Sequence, residues 1–438
     1  MALCLITSSA STMPLTGNPH YPRTKHRVQG TVIRVLHLCE GVGPKHGGPG
    51  IDLPNYCHAL AGDGCEVVLA VGYSSDADHP ARMVPAATVR EDARGYSLLT
   101  FPCILAHRWR FSPSLVRWLA HNIAGFDIVH LHSLYSFPIL SGATLARWRR
   151  IPYVLTTHAV LAPFQRRVSR VKKAAYGALF ARRILNDAAA VIYSARTEYD
   201  EALPLGIRAP AVIIPNGIAL DQFSRLPGRG WFRSRYLQGA EGPLLLYLGR
   251  LNAKKGLDLL LPAFAQVLKR RREAWLALVG AGDPPAYANW ISRRISELGI
   301  GNRVVMTGML AGEQKLSAYA DADLFVLPSR SENFATAMFE AMACRLPVIV
   351  SSGVNLWQEV QSSGAGLVVG FEPDQLSAVI SKLLDDPRGM GEMGGKARAL
   401  AENYTSKRTA AHLAGLYRRI ITGEPAGNWA MPKFAGED

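Results

Sequence analysis

Two glutamates eight positions apart, Glu332 and Glu340, frame the stretch of this chain with the most chemistry in it. An apolar run ending at Leu327 reads as a strand, and a loop bearing Glu332 follows it. A helix then carries Glu340, and Pro347 opens a second strand at Val348 to Val350. A carboxylate just ahead of a helix and another two turns into it can address two parts of one ligand. The backbone N–H groups from Phe334 through Ala337 have no partners inside such a helix and form a ready anion site. Carboxylates beside an anion site suit a phosphorylated ligand that also carries hydroxyls, a description that fits a nucleotide-sugar.

Cations stand where a diphosphate would need them. Arg250 and Lys255, in Gly249-Arg250-Leu251-Asn252-Ala253-Lys254-Lys255-Gly256, are fixed relative to a strand end and a helix start. Arginine can bind a diphosphate with a bidentate fork and lysine as a point charge. Gly47-Gly48-Pro49-Gly50 falls between the first strand and its helix, where glycines let backbone amides approach a phosphate. His158 ends the strand Tyr153–Thr157, so it faces a ligand crevice and can bond a substrate hydroxyl or steady a developing charge.

Other constellations are set aside. Gly41-Val42-Gly43 with Gly47 imitates a dinucleotide fingerprint, but no acidic residue closes the second strand at Val71-Gly72-Tyr73 to hold a ribose. His130-Leu131-His132 could share one strand face as metal ligands, yet the sequence offers no third ligand at credible spacing. Asp321-Ala322-Asp323 precedes an apolar strand and reads as a helix-end turn. The expectation is therefore no metal and no cofactor, with a nucleotide-sugar as co-substrate.

The elements that must position these residues are short apolar strands alternating with helices, the pattern of parallel α/β domains. One series runs from Val32–Leu38 to Ala190–Tyr193, and a second from Ala211–Ile214 to Gly366–Val369. The reading is a disordered leader over 1–30, an N-terminal Rossmann-like domain over 31–208 and a C-terminal one over 209–405. A terminal helix over 406–421 follows, then a flexible tail over 424–438. The first helix is expected near Asp52–Ala61. Mean hydropathy of +0.06 and the lack of any apolar run of ~20 residues describe a soluble, cytoplasmic chain. The cysteines, 6 in all, show no Cys-x-x-Cys pairing and read as reduced, mostly buried thiols.

A formal charge of +15 asks for an anionic partner or surface. The concentrated basic feature is Phe164 to Leu185, which includes Arg166 to Arg183 with apolar residues interleaved at helical spacing. It reads either as a basic amphipathic helix on an anionic membrane face or as an ordinary surface helix. No nucleic-acid-reading motif accompanies it.

Taken together, these motifs resemble the retaining glycosyltransferases of the GT-B fold called family 4, or group 1. The resemblance covers most of residues 32 to 421. It rests on Gly47-Gly48-Pro49, His158, Pro215-Asn216-Gly217-Ile218, Gly249-Arg250 with Lys255-Gly256, and the Glu332/Glu340 pair leading to Pro347. It implies two Rossmann-like domains facing across a cleft, with the acceptor on the first and the donor on the second, and a terminal helix crossing back. Arg250 and Lys255 would then bind the donor diphosphate, with the Gly47-Gly48 backbone closing over it. Glu340 would accept from ribose hydroxyls. Glu332 and the Asn333, Phe334 and Ala335 backbone would hold the transferred sugar, with His158 touching it from the other domain.

The expected activity is retaining hexosyl transfer to a carbohydrate or lipid-linked saccharide in surface-polysaccharide assembly. A soluble sugar or sugar-phosphate acceptor, or a non-catalytic nucleotide-sugar or phospholipid binder, are the alternatives. Three residues depart from the family pattern. Ala335 and Arg345 stand where glycine is common, and Ala159 where glycine or aspartate is frequent. At a helix start, Ala335 is expected to need no positive φ and to narrow the sugar pocket.

Overall fold

The computed structural model describes residues 32–43, 47–73, 88–91, 95–103, 109–167 and 176–429. The leader expected over 1–30 lies outside them. Two sheets organise the chain. The first holds β1 (Arg34–Cys39), β2 (Glu66–Tyr73), β3 (Thr88–Glu91), β4 (Ser97–Pro102), β5 (Ile128–His132), β6 (Tyr153–Thr156), β7 (Ala190–Tyr193) and β8 (Ala211–Ile213). Its order is β3-β4-β2-β1-β5-β6-β7-β8, parallel except for the β3–β4 pair. The second comprises β9 (Leu244–Leu248), β10 (Trp275–Val279), β11 (Val304–Gly308), β12 (Leu324–Leu327), β13 (Val348–Ser351) and β14 (Gly366–Val369), ordered β11-β10-β9-β12-β13-β14.

That second order is the doubly wound 3-2-1-4-5-6, with its switch point between β9 and β12. The apolar runs form parallel strands because helices cover both faces, so a strand such as Leu244–Leu248 needs no polar alternation. In the first sheet the order of strand addition reverses between β1 and β5, which pair in parallel. Both switch points put their loops at the carboxyl ends of the strands, where the candidate site residues lie.

One boundary differs from expectation. Ala211–Ile213, read from the sequence as opening the second series, pairs with β7 as the last strand of the first sheet. A short apolar strand carries no mark of which sheet it joins. The crossing lies in the next segment, Pro215-Asn216-Gly217-Ile218. Thr409 Oγ1 donates to Pro215 O at 2.9 Å, while Ile218 N donates to Tyr404 O at 2.9 Å and Ser406 N to Ile218 O at 2.9 Å. A Cβ at Gly217 would fall 2.3 Å from the carbonyl carbon of Thr405, so only glycine lets the two crossing strands of chain touch. The motif is a clasp between the linker and the return helix.

That return helix, Ser406–Thr422, starts at Thr405, whose hydroxyl accepts from Arg408 N, and stops at Gly423 in a left-handed turn. Ala410, Leu413, Ala414 and Tyr417 bury its apolar stripe in the core beneath the helix Gly47–Gly62 and the first sheet. After it, Trp429 packs on the same core, its Nε1 donating to Glu424 O at 3.2 Å. Residues 430–438 lie outside the described set.

Candidate active site

Lys255 is positioned by a glycine. The short turn Ala253–Lys255 after β9 ends at Gly256, which has φ of +71° and packs so tightly that a Cβ there would lie 1.9 Å from Pro328 O. No other residue fits that approach. Arg330 N donates to Lys254 O at 2.8 Å, tying this turn to the loop that leaves β12. Lys255 Nζ thereby meets Glu332 Oε1 in an ion pair that is largely removed from solvent. Burial alone would raise the Glu332 carboxyl, but Lys255 and Lys254 outweigh it and hold it below the usual range. Lys254 is itself pushed down, by burial first and then by Lys255 and Arg250. Arg250 is more exposed and donates from Nη1 to Asp283 Oδ2 at 2.8 Å.

The loop beyond Glu332 crosses to the other domain. Glu332 bridges to Val354, and Asn333 bonds Ser194 Oγ through its side-chain amide at 2.6 Å. Phe334 turns inward and stacks on Phe339 at 4.4 Å, so only its backbone can serve a ligand. Ala335 precedes the helix Thr336–Ala343 in the left-handed region, with φ of +55° and ψ of +56°. This corrects the expectation that it needs no positive φ: the chain must turn sharply from the bridge at Glu332 into the helix. The other two departures behave alike, Ala159 at φ +58° and Arg345 at φ +62°. All three sit where glycine would be unstrained.

Glu340, two turns along, is nearly buried and already held. Lys315 Nζ donates to its Oε1 at 2.7 Å and Tyr319 OH to its Oε2 at 2.8 Å. Neither residue was foreseen from the sequence, for both lie on another helix, Gly312–Asp321, without a motif of their own. Asp321 and Asp323 are structural as expected. Asp321 accepts from Arg233 N at 3.0 Å, and Asp323 from Arg229, Arg233 and Leu244 N.

From the first domain, the helix Gly47–Gly62 reaches this start of the second. It begins at Gly47 rather than near Asp52, so Gly47 and Gly48 form its opening turn instead of a preceding loop. Asp52 accepts from Thr336 Oγ1 at 2.9 Å and from Asn216 Nδ2 at 3.4 Å. Burial, with Glu340 adding to it, pushes Asp52 up to about 8, so it keeps its proton at neutral pH.

His158 follows β6 at φ +48°. The left-handed pair His158–Ala159 is held by Glu198, a buried carboxylate that the sequence did not single out. Glu198 accepts from Thr157 Oγ1, from Ala159 N at 2.5 Å, and from Ser194 N and Oγ at 2.8 and 2.7 Å. The same Ser194 touches Asn333, so one carboxylate organises both the histidine turn and the domain contact. Behind His158, His132 Nδ1 lies 3.1 Å from His158 Nε2, and His132 Nε2 lies 2.9 Å from His37 Nδ1.

His37 is a third imidazole beside His130 and His132 that sequence spacing did not reveal. It comes from β1, in register with His130 on β5, and one nitrogen of each of the three rings lies within 4.8 Å of the other two. Their donor atoms are largely spent, however, since His130 bonds Tyr417 OH at 2.6 Å and Thr156 Oγ1 at 2.7 Å.

The basic segment is helical where it is described. It runs Pro163–Arg167, then a π-turn at Gly177–Ala181 and a helix Arg182–Asn186, and residues 168–175 lie outside those described.

The model described as "Glycosyl transferase 4-like domain" matches residues 47–217, and "Glycosyl transferases group 1" matches 232–406. The chain belongs to the group 1, family 4 glycosyltransferases. It is 27% identical over 340 residues to a D-inositol 3-phosphate glycosyltransferase of Kineococcus radiotolerans, covering 72% of this chain and 76% of that one. It is 32% identical over 246 residues to a GDP-mannose-dependent phosphatidylinositol monomannoside mannosyltransferase of Mycolicibacterium smegmatis, covering 54% and 63%. Among solved structures, Anabaena HepE with UDP and glucose aligns at TM-score 0.71 and 19% identity, over 88% of this chain and 99% of that one. The sucrose-phosphate synthase of Thermosynechococcus elongatus aligns at 0.69 and 22%, over 90% and 100%. These neighbours share the GT-B fold, and the transferase is a hexosyltransferase. Among the described residues, no helix is long and apolar enough to cross a membrane.

Proposed function

We propose that the transferase moves a hexosyl unit, with retention and without a metal, from a nucleotide-sugar to a lipid-linked acceptor in surface-polysaccharide assembly. The observation that carries this reading is the buried Lys255–Glu332 pair beside the start of the helix Thr336–Ala343. Lys255 and Arg250 stabilise charge growing on the departing diphosphate, with the Gly47-Gly48 turn closing over it. Asn333, Phe334 and Ala335 offer backbone N–H groups, and Glu332 and His158 hold the sugar from opposite domains. Glu340, steadied by Lys315 and Tyr319, accepts from the ribose. The acceptor attacks on the face the leaving group vacates, and its proton passes to a phosphate oxygen.

The membrane part of the reading is supported by Trp148 and Leu179, each 68% exposed, beside exposed Arg149, Arg150, Arg182 and Arg183. Aromatic and basic side chains together suit an anionic lipid face on the cytoplasmic side. A second reading, a water-soluble phosphorylated acceptor, is favoured by the inositol phosphate in the name of one relative.

Thermal-shift screening against UDP, GDP and ADP, then transfer assays with the matching sugars, tests the donor side. One nucleoside diphosphate is expected to raise the unfolding temperature by mass action. Stabilisation by none of them would overturn the donor site. Replacing Arg149, Arg182 and Arg183 by glutamate is expected to release the protein from anionic vesicles. Unchanged partitioning would remove the membrane component, and transfer to a water-soluble acceptor without detergent would establish the second reading.

A further inference from the structure

The two oxygens of the buried Glu198 face two different tasks. Oε1 accepts from Thr157 Oγ1 and from Ala159 N at 2.5 Å, on either side of His158. Oε2 faces Ser194, whose backbone N lies at 2.8 Å and Oγ at 2.7 Å. Ser194 touches the second domain, its Oγ lying 2.6 Å from the Asn333 amide. So does Thr197, beside Glu198 on the helix Arg196–Ala202, whose Oγ1 donates to Asn355 O at 2.9 Å. Asn355 N in turn donates to Glu332 O at 3.1 Å, so the docked surface is the loop that carries Glu332 and Asn333.

The N–H groups of Ala159 and Ser194 can only donate. Each oxygen of Glu198 is therefore an acceptor, whichever way the neighbouring hydroxyl and amide protons turn. A glutamine there has one acceptor oxygen and must present its NH2 to one of those two N–H groups. The turn under tension is the one that holds His158. His158 and Ala159 are consecutive left-handed residues, with φ of +48° and +58°, and neither has the freedom of glycine. Such a pair persists where its surroundings fix it. Val160 N and Ala162 N close the turn on itself, donating to Thr157 O and Ala159 O at 3.1 Å each. Glu198 ties that turn to the segment docked on the second domain.

We propose that Glu198 is a positioning residue that fixes His158 against the loop bearing Glu332 and Asn333, so that the sugar is gripped from both domains in one geometry. The inference rests on the reading of His158 and that loop as the two sides of the sugar site. Losing either N–H bond lets His158 drift from the bound sugar, while Arg250 and Lys255 still hold the diphosphate. The expected mark is a fall in kcat with little change in donor KM.

Glu198→Gln in the full chain keeps the size of the side chain and removes one acceptor. The folded variant is expected to lose about tenfold in kcat, with donor KM within about twofold of wild type. Amide hydrogen exchange at Ala159 or Ser194 is expected to speed up about tenfold. In a His158→Ala background the same substitution is expected to change kcat by less than about twofold, because its effect passes through the histidine. Thr157→Val, which keeps the shape and removes one donor to Oε1, is the milder variant. It is expected to cost about threefold in kcat with the same dependence on His158, and it decides the matter if Glu198→Gln does not fold. Losses of equal size in both backgrounds would make the carboxylate merely structural and overturn the proposal. Wild-type kcat and exchange in the folded Glu198→Gln variant would also overturn it. If His158→Ala transfers at the wild-type rate while exchange rises in Glu198→Gln, the role of His158 in transfer fails, and the hold of Glu198 on the turn stands.

Discussion

The two halves of the site are built from opposite materials. On the second domain the polar groups are ions in pairs, Lys255 with Glu332 and Lys315 with Glu340. On the first, beside the carboxylate of Glu198, stand groups without charge: imidazoles stripped of it by burial, and Asp52 holding its proton. The division matches the work proposed for each side. A leaving diphosphate needs charge that is already desolvated and oriented, whereas a sugar hydroxyl needs one lone pair or one proton in a fixed place. Burial serves both halves, strengthening paired ions in one and suppressing ionisation in the other.

The largest expected effects come from breaking the ionic half. Lys255→Ala removes the cation nearest Glu332 and is expected to lower kcat/KM about 10²–10³-fold, the usual cost of losing one transition-state donor. Glu340→Gln keeps the shape but loses the charge that Lys315 holds, so a smaller loss, expressed mainly in donor KM, is expected. Initial-rate kinetics on folded variants check both, and near-wild-type transfer by either would contradict the contrast between the halves.

The neutral half is expected to show itself in the pH dependence of stability. His37, His130, His132 and His158 are all held below the ordinary histidine range by burial. Below about pH 6.5 the unfolded chain takes up protons that the native rings refuse, so stability falls as pH drops, by up to about 1.4 kcal/mol per pH unit for each ring. Their slope fades over about the next pH unit. Asp52 has the opposite sign: its folded value is raised to about 8, so its contribution is full below the ordinary aspartate range and is lost as pH climbs to 8. Its neighbours Glu340, Lys315, Thr336 and Asn216 face it from the second domain and the linker. Between about pH 4 and 6.5 the four rings outweigh the one carboxyl, and the balance of these five groups turns at about pH 7. Unfolding temperature against pH is expected to lose its alkaline decline in Asp52→Asn. The same decline in that variant would show that Asp52 is ionised in the folded protein.

The same contrast explains what could be read in advance. The ionic half is carried by contiguous loops, so Arg250, Lys255, Glu332 and Glu340 announce themselves by spacing along one chain segment, and every strand of the second sheet is visible as an apolar run. The neutral half is assembled from β1, β5, the loop after β6 and two helices. His37 and His132 lie 95 positions apart, and nothing local joins them. Glu198, Asp52, Lys315 and Tyr319 escaped notice for the same reason, being single residues that act by contact across elements. Strand β8 was assigned to the wrong sheet because three apolar residues hold no record of their partner. The backbone was misjudged where a residue other than glycine adopts a glycine conformation, as at Ala335.

The smallest effects are expected at the three left-handed positions, and they divide by half as well. Arg345 closes the helix Thr336–Ala343 in a Schellman turn, with Arg345 N bonding Met342 O at 2.9 Å and Leu346 N bonding Ala341 O at 3.0 Å. Its side chain is exposed, so Arg345→Gly relieves a left-handed cost of about 1–2 kcal/mol and returns about 0.4–1 kcal/mol to the unfolded chain. A net gain near 1 kcal/mol in chemical denaturation is expected. Ala335→Gly faces the same balance but also removes a buried methyl, so its stability is expected to change by only a few tenths of a kcal/mol. Its informative readout is the donor panel, where an enlarged sugar pocket admits bulkier sugars. If Ala335→Gly loses more than about 1 kcal/mol, the packing of that methyl outweighs its backbone strain, and the alanine is there to shape the pocket rather than merely tolerated in it.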